Sequence, residues 1–177
     1  MDRNVKLLVY LALLTAVCTV ATMAIPIPTP TGGYLNAGDI VVVFAALLAG
    51  PLYGCIVGGV GSALADLLSG FALYAPGSLI AKGAAAVVIG LLFSLSKRKS
   101  STAATVAAIC GELVMALGYF AYEALALGFG LGASAEIPGN LLQGVVGVAG
   151  GILLYHTLSR IRQVRTFSDQ IRTKPKK

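Results

Sequence analysis

About 20 consecutive apolar residues carry an α-helix across the hydrocarbon core of a bilayer. This chain is cut by proline, glycine and basic residues into six such lengths. The first runs over 6–25 and stops at Pro26. The second, over 39–50, ends at Gly50-Pro51 and is short at about 12 residues, which predicts a tilted or protein-buried segment. The third covers 52–71 and the fourth 78–95, with the turn 72–77 between them; Lys97, Arg98 and Lys99 follow the fourth. The fifth covers 102–129, where Gly128, Gly130 and Gly132 loosen the chain, and the sixth covers 137–158. The segment 26–38 contains Pro26, Pro28, Pro30, Gly32, Gly33 and Gly38 and cannot be helical. It is too apolar for a free loop, so a re-entrant-like fold over the protein is expected.

Composition narrows the class further. Of 177 residues, 57% are hydrophobic and 11% charged, against about 25% charged in an ordinary globular domain. So few charges cannot cover a soluble surface. A soluble enzyme, a disordered chain and a nucleic-acid-binding module are excluded. The length allows about five to seven spans and little else. The expected fold class is an all-α integral membrane protein with six transmembrane helices. It forms one membrane domain over 1–159 followed by a basic cytoplasmic tail over 160–177. The apolar N-terminal run could pass for a signal peptide, but it is long and lacks an Ala-x-Ala cleavage site, so it reads as a helix.

The net charge of +6 is concentrated in that tail, where Arg160, Arg162, Arg165, Arg172, Lys174, Lys176 and Lys177 face the single acid Asp169. A basic run straight after an apolar span is a cytoplasmic anchor at an anionic leaflet before it is a nucleic-acid patch. With both termini cytoplasmic, the inner segments collect Arg3, Lys6, the Lys97, Arg98 and Lys99 cluster and all the tail cations, leaving only Lys82 elsewhere. An odd number of spans would break this pattern. Cys18, Cys55 and Cys110 stand alone in apolar segments, and the one histidine, His156, ends a span. Neither a metal site nor a disulfide framework is expected, and no cofactor is called for.

Ionisable groups inside spans are costly and functional by default. Counting from the turns places Asp39, Asp66, Lys82, Glu123 and Asn140 in the outer half of the membrane. Glu112 falls in the inner half, where a structural role is expected. Asp66 and Lys82 lie eight residues either side of Tyr74 and so at similar depth, where an ion pair could form. On the plainer reading that pair only orders two helices. Asn140, Gln143, Gly144, Gly147 and Gly151 share one helical stripe, as do Tyr119, Tyr122 and Glu123 on the fifth helix. Gly54, Gly58, Ser62 and Asp66 recur at four-residue steps, a packing pattern in lipid. A pocket of Tyr, Asn, Gln and carboxylates suits a small polar heterocycle: tyrosine stacks on the ring, amides donate and accept, and acid or lysine fixes a charged or hydroxyl group. The Gly-rich segment 31–36 is placed to close its mouth.

Three stretches carry a resemblance: PTGGYLNAGDIVVVFAALLAGPLYGCIVGGVGSALADLLSG over 30–70, YAPGSLIAKG over 74–83, and IPGNLLQGVVG over 137–147. Across about 130 residues in order, they resemble the substrate-binding S component of energy-coupling factor (ECF) vitamin transporters. The resemblance implies a six-helix fold with both termini inside and a vitamin pocket near the outer face. It carries a substrate-binding role to Gly33, Tyr34, Asn36, Lys82, Tyr119, Glu123, Asn140 and Gln143. It implies partners: a transmembrane coupling subunit, met through a small-residue motif matched here by Ala12 and Ala16, and two ATPase subunits. This chain has no G-x-x-x-x-G-K-[ST], so it is expected to be a transport protein and not an enzyme. Within the family it looks closest to the branch for hydroxymethylpyrimidine- or pyridoxine-type ligands; riboflavin, folate and deazapurine members share similar motifs. The expected location is a bacterial or archaeal cell membrane.

Other readings are weaker. A stand-alone secondary transporter or carrier would favour inverted repeats, and none is evident between the halves. A membrane enzyme needs paired acids, a metal cluster or an activated nucleophile; D-x-x-x-D, H-E-x-x-H and G-x-S-x-G are absent. A structural assembly subunit would have no use for the outer polar cluster.

Overall fold

The computed structural model describes residues 3–97 and 100–172. Arg98 and Lys99 of the inner cluster, and Lys174, Lys176 and Lys177 of the tail, lie outside the described residues. The elements are α1 (Arg3–Ala24), β1 (Ile27–Pro28), β2 (Tyr34–Leu35), α2 (Gly38–Cys55), a π-helical turn (Ile56–Val60), α3 (Gly61–Leu68), α4 (Ala75–Leu95), α5 (Ser101–Leu125), a 3₁₀ segment (Gly130–Glu136), α6 (Ile137–Leu158) and α7 (Arg162–Arg172). Among the described residues, five helices are long and apolar enough to cross a membrane, counting the 31-residue stretch Gly38–Leu68 as one.

That stretch would be about 46 Å long if straight, well beyond a hydrocarbon core of about 30 Å. It is not straight. Gly50 has φ 83° and ψ −174°, and Pro51, which has no N–H to give, starts a new helical arm. Beyond the turn, Gly54 lies on Ala46 and Gly58 on Val42; a Cβ at these glycines would come within 2.7 Å of the Ala46 Cα and 2.9 Å of the Val42 Cγ1. The paired positions converge on residue 50, so the two arms run antiparallel. Glycine is required on the second arm because a side chain there would push the arms apart. The first arm is the most enclosed part of the molecule, with Val42, Val43, Ala45, Ala46 and Leu47 essentially without exposed surface.

The connections sort to two ends. At one end, Thr31 of the loop after α1 meets Glu136, Tyr74 of the α3–α4 turn meets Thr31, and Tyr122 donates to the Leu73 carbonyl. At the other, Ser101 meets His156, and α7 packs on α1 and α2. Large apolar side chains point outward all round the bundle: Leu117 is 64% exposed, Val145 66%, Leu153 67% and Leu8 68%. Polar groups are collected inside, the inverse of a water-facing protein.

Three segments depart from the sequence-based expectations. The segment 26–38 is non-helical as expected, but it forms a two-stranded antiparallel ladder pairing Ile27 with Leu35 and Pro28 with Tyr34. The expected fifth span of 102–129 stops at Leu125; the chain then turns through Gly128 and Gly130, both with positive φ. The tail does not begin as an independent basic run. Residues 162–172 are helical, and Phe167 (3% exposed) packs on Tyr10 with ring centroids 4.8 Å apart. Ser168 donates to the Leu48 carbonyl at 3.1 Å. An apolar phenyl ring among basic residues has no other cover at that end of the bundle.

Candidate ligand-binding site

The site is built where the loop after α1 closes over the ends of α4, α5 and α6. Gly32 (φ 85°) turns the chain between β1 and β2, with Thr29 and Gly33 joined by a backbone hydrogen bond of 3.0 Å. This turn presents Thr31. Its amide and hydroxyl both donate to Glu136 Oε1, at 2.9 and 2.6 Å, and the hydroxyl also lies 3.3 Å from Glu123 Oε1. The Tyr74 hydroxyl donates to the Thr31 carbonyl at 2.8 Å. Gly33 lets the turn lie flat on Tyr74, whose ring would be 3.0 Å from any Cβ there.

A second set of bonds holds the return strand. The Tyr34 hydroxyl donates to Asp66 Oδ1 at 2.7 Å, and its ring packs on Phe71 at 4.4 Å. Burial, followed by the hydrogen bond to Asp66, pushes the Tyr34 hydroxyl well above the ordinary tyrosine range, so it remains a donor. Burial likewise raises Tyr74. The Asn36 amide N–H donates to Gln143 Oε1 at 2.6 Å, while its side-chain oxygen accepts from Lys82 Nζ at 3.0 Å. Gln143 also donates to Asp39 Oδ2.

Lys82 is fully buried and forms its ion pair with Asp39, at 3.0 Å. Lys82 thus pairs with Asp39 rather than with Asp66, the possible partner that the count of depth offered. Equal depth on α3 and α4 does not make two side chains face each other. Asp39, at the start of the first arm of α2, is the carboxylate that meets Lys82, while Asp66 accepts from Tyr34. Asp39 also lies deeper than its place at a helix start suggested: it is 1% exposed, because a 12-residue arm of about 18 Å begins beneath the loop. Glu112 lies on the neighbouring helix α5. It sits near the middle of the 25-residue α5 and faces Gly144 and Gly147 of α6, with Asp39 across the same glycine. Neither of its carboxylate oxygens has a hydrogen-bond partner among the described residues.

The enclosed space at the centre is a cavity of about 20 Å³ lined by Thr29, Gly33, Tyr34, Tyr74, Tyr119, Glu123, Glu136, Asn140 and Gln143. That is room for about one water. Of the residues singled out from sequence, Gly33, Tyr34, Tyr119, Glu123, Asn140 and Gln143 are therefore brought to one cavity. Asn36 and Lys82 stand beneath it in the Asp39 network. Ala12 and Ala16 lie apart, on the outward face of α1. Sequence reasoning missed Thr29, Tyr74 and Glu136 as lining groups. Glu136 gave one available signal, being an acid immediately before an apolar span with no cation near it in sequence. The tyrosine stripe on α5 is divided: Tyr119 bonds to Ser78 at 2.6 Å inside the site, whereas Tyr122 packs over Gly77 and holds the α3–α4 turn.

Comparison with known proteins gives the same picture. Residues 2–160 match the family model described as ECF-type riboflavin transporter, S component. An uncharacterized protein in the gap 3′ region of Pyrococcus woesei is 40% identical over 146 residues, covering 81% of this chain and 95% of that protein. The crystal structure of the S component for biotin from an ECF-type ABC transporter superposes with a TM-score of 0.65. It covers 94% of this chain and 98% of that one at 17% identity, and so speaks for the fold. With a family model spanning nearly the whole membrane bundle, the chain belongs to the ECF-type riboflavin transporter S-component family.

Proposed function

We propose that this chain captures a small water-soluble vitamin or precursor at the outer membrane face for an ATP-driven ECF importer. The observation that carries the reading is the buried polar cavity roofed by a loop tied down by hydrogen bonds to the side chains of Tyr74, Glu123, Glu136, Gln143, Lys82 and Asp66. A ligand pocket of ordinary size holds several hundred Å³, so entry requires the loop to lift and exchange those bonds for bonds to the ligand. Tyr34 and Tyr119 then flank a ring, and Glu123, Asn140 and Gln143 supply its polar contacts. Gly33 keeps the roof thin, and Asn36 with Lys82 reports closure to the helices.

The ligand is of the hydroxymethylpyrimidine or pyridoxine type. The family description names riboflavin, so riboflavin belongs in the same titration. In this reading the chain crosses the membrane six times, counting the arms either side of Gly50 separately, with both termini cytoplasmic. The resting place is a bacterial or archaeal cell membrane. A coupling subunit docks on α1 at Ala12 and Ala16, and two ATPase subunits complete the importer.

Mass spectrometry of ligand released from the detergent-purified protein tests the capture role directly. Glu123→Ala and Asn140→Ala are each expected to weaken binding of that ligand at least about ten-fold, equivalent to about 1.4 kcal/mol. Unchanged affinity in both would remove the cavity from the binding site. A stand-alone carrier would instead move ligand in vesicles lacking any ATPase.

A further inference from the structure

The polar side chains at the loop-covered end are unbalanced in charge. Among the described residues, Asp39, Asp66, Glu123 and Glu136 are buried there, and Lys82 is the single cation. Lys82 is already committed to Asp39 and Asn36, so it neutralises nothing at the cavity itself. Glu123 and Glu136 face one another across Thr31, each 3% exposed or less. Thr31 has one hydroxyl hydrogen, which lies 2.6 Å from one carboxylate and 3.3 Å from the other and cannot serve both. Tyr74 spends its hydrogen on Thr31, and Glu123 Oε2 has no hydrogen-bond partner among the described residues. The cavity therefore holds more negative charge than positive, with Glu123 Oε2 open to a donor from a ligand.

We infer that the ligand presents a basic amidine-type edge, an exocyclic amine beside a ring nitrogen, to Glu123 and Glu136 in place of Thr31. The inference rests on the cavity being the ligand site, as proposed above. When its ring nitrogen carries a proton, that edge presents two parallel N–H groups, which match a carboxylate in a two-pronged, charge-assisted arrangement. A positive charge shared between the two acids removes their mutual repulsion, which a neutral ligand leaves in place. A carboxylate or phosphate group brought to the same place adds a further negative charge with no free lysine or arginine to receive it. Anionic vitamins are therefore excluded by charge before size is considered. Loop closure is selective for the same reason: Thr31, displaced from Glu136, can recover only the position that the ligand's donors leave open.

The test is calorimetric titration of the full chain in detergent with three probes: hydroxymethylpyrimidine, which carries an amine beside a ring nitrogen; riboflavin, which has no basic amine edge; and biotin, which carries a carboxylate. The pyrimidine is expected to bind tightest and biotin not measurably. Glu123→Gln and Glu136→Gln keep the side-chain size and remove the charge. Each is expected to weaken the pyrimidine about 10- to 100-fold, with elution and melting profiles unchanged. Tighter binding of riboflavin or biotin, or affinities within about two-fold in both Gln variants, overturns the inference and leaves the capture role standing. If no probe binds while the chain still co-purifies with its coupling subunit and ATPases, the inference alone fails. If co-purification is lost as well, the proposed function fails with it.

Discussion

Among the described residues, Lys82 is the largest side chain with no exposed surface. A lone charge at the middle of a span costs about 2.5–3.5 kcal/mol on insertion scales. Here the cost is offset by Asp39 at 3.0 Å and by Asn36 of the loop. Removing one member leaves the other buried without its counter-charge, which costs about 3–5 kcal/mol. Lys82→Met is therefore expected to lower the melting temperature sharply in detergent. Lys82→Met combined with Asp39→Asn should recover at least half the loss, since no unpaired charge then remains. Equal melting of the single variant and the parent would mean that the pair does not stabilise the fold. This pair also marks where the sequence stopped being informative. Depth can be counted from turns, and counting brought Asp66, Lys82, Glu123 and Asn140 to one end. The direction in which Lys82 leans depends on the reversal at Gly50, which sets the first arm of α2 against α4, and no count along α3 and α4 contains that information.

At the scale of elements, the sixth helix was legible to the residue, because Pro138 near its start and the polar run after Leu158 both punctuate it. The Asn140, Gln143, Gly144, Gly147 and Gly151 stripe is indeed its buried face. The loop before α2 was legible only as non-helical: its ladder is two residues long on each side, its bonds to Glu136 reach across 105 residues of sequence, and neither leaves a periodic trace. The bonds made by Thr31 predict its behaviour as a latch. Thr31→Val removes the hydroxyl donor to Glu136 while keeping the backbone donor, and a hydrogen bond to a charged group is worth about 1.5–3 kcal/mol. Ligand association followed by stopped flow should quicken about ten-fold or more, because the loop over the empty site then lifts with one bond fewer; an unchanged rate would mean that the loop is not the gate. The seventh helix was hidden for a different reason. Its composition is basic and polar, and only Phe167 and the surrounding packing make it an element. Phe167→Ala should cost about 3 kcal/mol of local docking. Trypsin should then cut at Arg162 and Arg165 much faster than in the parent. Equal cleavage rates would show that α7 is not held by this ring.

For the whole molecule, burial is uneven in a way that bears on assembly. The first arm of α2 is enclosed on all sides, whereas α1 leaves Leu8, Leu13, Val17 and Val20 between 45% and 68% exposed, with Ala12 and Ala16 outward among them. Apolar exposure alone means only lipid contact. Two alanines one turn apart form a shallow strip on which another helix can lie closely, without side chains holding the backbones apart. Ala12→Leu and Ala16→Leu fill that strip and meet no neighbour within the chain, so folding, melting temperature and ligand affinity should stay as in the parent. Assembly should not. Co-expressed with the coupling subunit and its ATPases, each variant is expected to co-purify at a small fraction of the parental yield, while Leu142→Ala, on the outward face of α6, should co-purify normally. Parental yields for Ala12→Leu and Ala16→Leu would place the coupling surface elsewhere on the bundle. Loss of ligand affinity alongside assembly would show instead that α1 supports the pocket through Thr22, which is buried against Gly38 beneath the loop.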